Sequence, residues 1–279
     1  MPGPKDLDPS TSPRALLGAE LRVARERAGL SQAELGAPLF VSGSFIGQLE
    51  AGTRRMHLDF ARQIDEILGT NGFFVRNCEA VAKSKYPDHF AEAAEAEALA
   101  RAIREYAPLI VPGLLQTEAY ARAVFRAYQP TATEEAIDEL VTNRLARASL
   151  LRDPTTPLLW TVFDEAVLRR ENGGKAVMAG ALRHIAGLIR SHRIIAQVVP
   201  FSAGAHASLG GPLRLMTFDD APPLAYVEGL ETGLLLDDPA TVVQRTLTYD
   251  LLTASALPPR ESLALIESVA ENYEHDQRA

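Results

Sequence analysis

Cysteine occurs once, at Cys78, so the chain can close no internal disulfide and offers no Cys pair for a zinc site. A reducing compartment agrees with that usage. No apolar run approaches the length needed to cross a bilayer. The first thirteen residues carry Pro, Asp and Ser and lack the basic and apolar regions of a secretory signal. They are expected to form a disordered tail, and the protein is expected in the cytoplasm with no membrane partner. A nucleophile elbow, a phosphate-binding loop and a dinucleotide fingerprint are all missing, as is any internal repeat. His184 and His192 stand eight apart with no further ligand in metal spacing. The expectation is therefore a non-enzyme with no metal and no cofactor.

Positive charge is also scarce: 28 Lys and Arg against 36 Asp and Glu give a net charge of −8. That balance is unusual for a nucleic-acid binder, because phosphate neutralisation supplies most non-specific affinity. Its distribution matters more than its sum. Between Arg14 and Thr70, Arg14, Arg22, Arg25, Arg27, Arg54, Arg55 and Arg62 match Glu20, Glu26, Glu34, Glu50, Asp59, Asp65 and Glu66. This segment is neutral, and the acidic excess lies mostly beyond it. At 279 residues the chain has room for two domains, a small reader and a larger body.

The reader is placed at 14–72. Leu17, Leu21, Ala24 and Ala28 recur at helical spacing and Gly29 stops that helix. Ser31, with Glu34 three residues on, has the form of a capping box opening a second helix. Ser42 is the next N-cap, and Ile46 and Leu49 give a third helix its buried face. Gly52 ends it, and a further amphipathic helix runs from Leu58 to Leu68 before the Gly69–Gly72 break. Two short helices joined tightly fit a helix-turn-helix, whose second helix enters the major groove.

The string Gly29-Leu30-Ser31-Gln32-Ala33-Glu34-Leu35, followed by Val41-Ser42-x-Ser44-x-Ile46-x-x-Leu49-Glu50-Ala51-Gly52, resembles the Cro-like, xenobiotic-response-element repressor family. The resemblance implies a lambda-repressor-like fold and double-stranded DNA as partner. It implies that Gln32 bonds a phosphate and that Ser42, Gly43, Ser44, Phe45 and Gln48 lie along the groove side. Arg54 and Arg55 would flank phosphates, and Arg25 with Glu50 would form a pair that positions a guanidinium beside the DNA backbone. The alternatives are a solvated helix face for Ser44 and Gln48 and an ordinary surface ion pair for Arg25 and Glu50. Three departures stand out. Pro38 falls late in helix two, where it predicts a short or kinked helix. Gly43 and Gly47 lie in helix three, each costing about 1 kcal/mol relative to Ala. Gly43 reaches no base edge, which leaves Gln48 as the candidate for adenine recognition.

Residues 73–90 read as a partly helical bridge, and 91–279 as a regulatory and dimerisation domain. Ala91–Arg104 is rich in helix formers, and helix signals return at Thr117–Ala121 and from Thr133 to Leu151. Leu158–Phe163, Ile194–Val199, Leu213–Phe218 and Leu224–Val227 read as strands. Helices over Ala176–Arg190, Pro239–Ala254 and Arg260–Tyr273 accompany them, giving an α+β body behind a mainly α reader. Asp164 and Glu165 read as cap and first-turn charge rather than an acid–base pair.

Val111-Pro112-Gly113-Leu114-Leu115-Gln116-Thr117-x-x-Tyr120-Ala121-Arg122, Asp164 to Arg170, Val199-Pro200-Phe201-x-x-Gly204-x-His206 and Gly210-Gly211-Pro212 together resemble the C-terminal domain of WhiJ-type actinobacterial regulators. That resemblance implies an antitoxin-like transcriptional regulator, developmental or antibiotic-linked, often paired with a small partner protein. Trp160, Phe201, His206 and Tyr226 form a candidate effector pocket for a small molecule, the alternative for the aromatics being core and for His206 an ordinary loop position. The expected function is a sequence-specific regulator, a homodimer on a pseudo-palindromic operator. The rival is a protein-interaction module without significant DNA binding.

Overall fold

The computed structural model describes residues 13–78, 88–230 and 232–275. The expected tail lies outside these residues up to position 12, as does the bridge between 79 and 87. Five helices open the chain: α1 (Pro13–Arg27), α2 (Gln32–Gly36), α3 (Gly43–Glu50), α4 (Leu58–Leu68) and α5 (Phe73–Cys78). After α6 (Asp88–Leu99) comes β1 (Ala102–Ala107), then α7 (Glu118–Tyr128), α8 (Glu134–Ala148), β2 (Leu158–Asp164), α9 (Glu165–Arg169) and α10 (Lys175–Arg190). Strands β3 (Ile194–Val199), β4 (Leu213–Thr217), β5 (Leu224–Gly229) and β6 (Thr232–Leu236) precede α11 (Pro239–Ala254) and α12 (Pro259–His275). The result is a helical N-terminal part followed by an α+β part whose mixed sheet has the order β3-β2-β1-β4-β5-β6.

By contact density the chain forms two compact units. One contains the residues up to Arg101 together with Leu215–Gln244; the other contains Ala102–Arg214 and Arg245–Ala279.

In the first unit, Leu21, Leu35, Ile46, Leu49, Ile64 and Phe74 share one apolar core. Pro38 has the effect its chemistry requires: α2 stops at Gly36 and the chain continues as a 3-10 turn over Ala37–Leu39. Phe40 follows in the left-handed region, with φ 56°. Asp65, near the end of α4, fastens α5 by accepting from the backbone N–H groups of Phe74 (3.1 Å) and Val75 (2.9 Å). Phe90 on α6 packs edge-on against Tyr226 of β5, ring centres 5.9 Å apart, and α6 lies along β6.

In the second unit β1, β2 and β3 run parallel, with Ile103 opposite Leu159 and Leu159 opposite Ile194. Helices α10 and α12 pack together, and α12 covers β3. Arg193, just before β3, donates to the carbonyls of Leu151 (2.9 Å) and Pro157 (3.0 Å), with longer bonds to Leu150 and Thr156. One guanidinium thus closes the loop that enters β2.

The expected helix over Ala91–Arg104 is corrected: it ends at Leu99, and Ala102–Ala107 is a strand. Helix formers such as Arg104 and Glu105 are recruited into β1 by tertiary pairing. Glu105, buried in the sheet, accepts from Thr161 Oγ1 (3.1 Å) and from Arg214 (3.1 and 2.8 Å), which offsets the cost of removing its charge from water. Strand β6 carried no expectation either. Its Leu234–Leu236 run pairs antiparallel with β5, Leu236 opposite Ala225.

Candidate nucleic-acid interface

The start of α2 is a capping box. Ser31 Oγ accepts from the Glu34 N–H at 3.2 Å, and Glu34 returns the bond to the Ser31 N–H at 2.7 Å. The bonds from Ser31 hold the Glu34 carboxyl below its ordinary range. Helix α3 begins the same way, with Ser42 Oγ accepting from the Phe45 N–H at 3.0 Å. That hydroxyl is occupied as a cap.

The glycines that weaken α3 as an isolated helix serve its packing. A Cβ on Gly43 would lie 3.1 Å from the Ala33 nitrogen, and one on Gly47 would lie 3.1 Å from Gln32 Oε1. In α1, a Cβ on Gly18 would meet the Glu50 carbonyl oxygen at 2.5 Å. A side chain at Gly18 would force α1 away from α3 and one at Gly43 would crowd the α2 backbone, while one at Gly47 would press on the Gln32 side chain.

The same helices share a buried polar knot. Arg25 embraces Glu50 through Nε and through Nη2 at 3.1 Å, and its Nη1 donates to the Leu30 carbonyl at 2.7 Å. Gln32 Nε2 donates to Glu50 Oε2 at 2.9 Å. Its hydrogen bond to Glu50 raises the Arg25 pKa, and the charge is permanent. Three helices are thereby tied at one carboxylate, and Gln32, expected on a phosphate, is half-buried with its Nε2 engaged by Glu50.

The remaining positions sort by depth. Phe45 is buried against Phe60, ring centres 5.0 Å apart, so its ring belongs to the core. On the helical wheel, Ser44 and Gln48 project opposite Ile46 and Leu49, the side that faces away from that core. Gln48 is nonetheless fully buried, and neither of its amide atoms, nor Ser44 Oγ, has a hydrogen-bond partner among the described residues. Arg54 stacks over Phe45, its Cζ 4.3 Å from the ring centre. Its Nη1 meets Asp237 at 3.0 Å and its Nε lies 3.5 Å from Glu92. His57 also contacts Glu92. Arg55 is half-buried. Burial pushes the Glu92 carboxyl up, but the His57 bond and the charges of Arg54, His57 and Arg55 outweigh it and leave it below its ordinary range. Burial raises Asp237 in spite of Arg54. Neither acid carried a signal in the sequence, because each meets Arg54 only through tertiary structure.

The four residues of the candidate effector pocket have separate surroundings. Trp160 donates from Nε1 to Gln197 Oε1 at 3.0 Å and packs edge-on against Tyr249. Phe201 is exposed, and its N–H donates to Glu165 at 2.9 Å. Tyr226 belongs to the first unit, against Phe90. His206 is buried in a chain of hydrogen bonds: Nδ1 accepts from the Ser208 N–H at 3.3 Å, which leaves the proton on Nε2, 3.2 Å from the Tyr106 hydroxyl. Tyr106 in turn donates to Asp164 Oδ2 at 3.1 Å, and Asp164 Oδ1 accepts from the Ala166 N–H at 2.8 Å. Asp164 is thus the cap of α9, as its sequence context predicts, and it also orients Tyr106, which sequence reasoning missed. Burial raises the Tyr106 pKa. Among the described residues no group of His, Cys, Asp and Glu converges to hold a metal ion.

No described helix is long and apolar enough to cross a membrane. Residues 16–72 match a helix-turn-helix domain model, the module of DNA-binding regulators. No curated protein and no solved structure matches the chain. Residues 90–268, more than half of the sequence, match the model of a domain of unknown function, DUF5753, and the chain belongs to that family.

Proposed function

We propose that this protein is a sequence-specific transcriptional regulator acting as a homodimer on a pseudo-palindromic operator in the cytoplasm. One observation carries the reading: a capped α2 and α3, locked through Arg25, Glu50 and Gln32, present Ser44 and Gln48 on the side of α3 away from its own core. Side chains on that side of a second helix are the ones that reach base edges. Gln48 supplies a bidentate amide for adenine, Arg54 and Arg55 supply phosphate contacts, and paired readers lie about 34 Å apart, one helical turn. The family domain is the regulatory part, responding to a small partner protein or a small-molecule effector in the manner of WhiJ-type, antitoxin-like actinobacterial regulators. It catalyses no reaction.

In vitro selection of duplexes by the full chain, followed by footprinting on its own promoter, tests this reading. A protected palindrome supports it, and recovery of random sequence rejects it. A second reading, a protein-interaction module that does not bind DNA, draws on the burial of Gln48 and predicts no protection at any salt concentration.

A further inference from the structure

Gln48 and the Ser44 hydroxyl, on the side of α3 that would read DNA, are buried. Arg54, stacked over Phe45 of α3, faces the carboxylates of Glu92 on α6 and Asp237 after β6. His57, at the start of α4, faces Glu92 as well. All four residues belong to the first compact unit. Two carboxylates from remote parts of the sequence thus meet the Arg54 guanidinium, a group a phosphate backbone would need.

We infer that Glu92 is an internal latch: it holds α6 against the helix-turn-helix by occupying Arg54 and His57, and a duplex gains access to α3 only when α6 withdraws. The inference rests on the DNA-binding reading above and concerns the control of that same surface.

Three observations converge on it. First, the latch is polar on the reader side, whereas α6 is anchored by Phe90 against Tyr226 and by its packing along β6. Charge contacts to the reader are exchangeable for those of a phosphate, while the apolar anchor persists. Secondly, Ser44 Oγ and both Gln48 amide atoms are buried in this arrangement without partners among the described residues. An unsatisfied buried polar group destabilises the state that contains it, so closure carries a penalty located on the side chains proposed to read bases. Opening returns them to water or to a base edge. Thirdly, the two acids differ. The surrounding cations favour the ionised form of Glu92, whereas burial disfavours that of Asp237. Glu92 also engages both Arg54 and His57. A duplex competes for Arg54 directly, and its apparent affinity is reduced by the fraction of molecules that are latched.

The test uses the full chain with Ser44→Cys as a reporter of access to α3, in the Glu92, Glu92→Lys and Glu92→Gln backgrounds. Cys78 is buried and sets the blank. Asp59→Lys makes the same charge change as Glu92→Lys at an exposed position of α4, and so controls for net charge. In the absence of DNA, labelling at position 44 is expected to accelerate about tenfold in Glu92→Lys, less in Glu92→Gln, and not in Asp59→Lys. Without the Ser44→Cys reporter, Glu92→Lys is expected to bind a duplex selected in vitro about tenfold more tightly than the unaltered chain, well beyond Asp59→Lys. Unchanged labelling in both Glu92 variants, or equal effects of Glu92→Lys and Asp59→Lys, would overturn the latch. Accelerated labelling with no duplex bound by any variant keeps the latch and rejects the DNA reading. Duplex bound equally by all with constant labelling does the reverse.

Discussion

Arg54 and Asp237 are 183 positions apart in sequence, and their side chains meet at 3.0 Å, with the guanidinium carbon of Arg54 resting 4.3 Å from the centre of the Phe45 ring. The contact is lopsided. Arg54 is positioned by its aromatic platform and by Glu92, while the Asp237 carboxylate is held in a setting that burial makes unfavourable for charge.

The two acids should therefore respond oppositely to neutralisation. Glu92 has a folded-state pKa below its ordinary 4.5, so its stabilising contribution is complete above 4.5 and is lost as pH falls through the lower folded value. Asp237 has a folded-state pKa above its ordinary 3.8, so its contribution is complete below 3.8 and is lost as pH rises through the raised value. Urea titrations at pH 7 and in the acid limb should show Glu92→Gln less stable at pH 7 and flatter in acid. Asp237→Asn should be no less stable at pH 7 than the unaltered chain. Destabilisation by Asp237→Asn as large as that by Glu92→Gln would contradict the assignment.

Glu50 receives bonds from both Arg25 and Gln32 in a buried setting. Replacing it with Ala strands a permanent guanidinium charge, and a loss of about 3 kcal/mol in unfolding free energy is expected, the scale for breaking a buried pair. Chemical denaturation followed by circular dichroism measures it. A loss under about 1 kcal/mol would mean the pair behaves as a surface salt bridge.

Gln48→Leu removes an amide that has no partner among the described residues and keeps similar volume. The DNA-free protein should gain about 1 kcal/mol of stability, because both orphaned polar atoms disappear. The same change should weaken binding to a selected duplex. Calorimetric melting and anisotropy together decide it, and a variant less stable than the unaltered chain would show that Gln48 is satisfied in solution.

Arg193 reaches carbonyls on both sides of the loop entering β2. Arg193→Met retains much of the apolar stem and removes the donors, so a loss of about 2 kcal/mol is expected from the orphaned buried carbonyls. Thermal melting of the full chain provides the check, with unchanged melting as the contrary result.

Local rules made much of the reader legible. Ser31, with Glu34 three residues on, and Ser42 cap where they are expected, and Pro38 cuts α2 short, because each effect involves neighbours a few residues away. Resemblance also pointed to Arg25 with Glu50. What the sequence did not reveal depends on distant partners. Helix formers at Arg104 and Glu105 lie in β1 because Thr161 and Arg214 satisfy Glu105 there. Phe45 reads as a groove residue by position, yet Phe60 and Arg54 enclose it. Glu92 sits in an Ala- and Glu-rich helix where one acid looks like the next, and only the fold sets it beside Arg54.

Base-pair reading by α3 is measured most directly by the binding profile of the full chain and of Gln48→Ala across every single-base variant of a duplex selected by the unaltered protein. Gln48→Ala should lose about 1–3 kcal/mol of discrimination at one symmetric pair of positions and none elsewhere. A uniform profile, or the same preferences in both proteins, would contradict it.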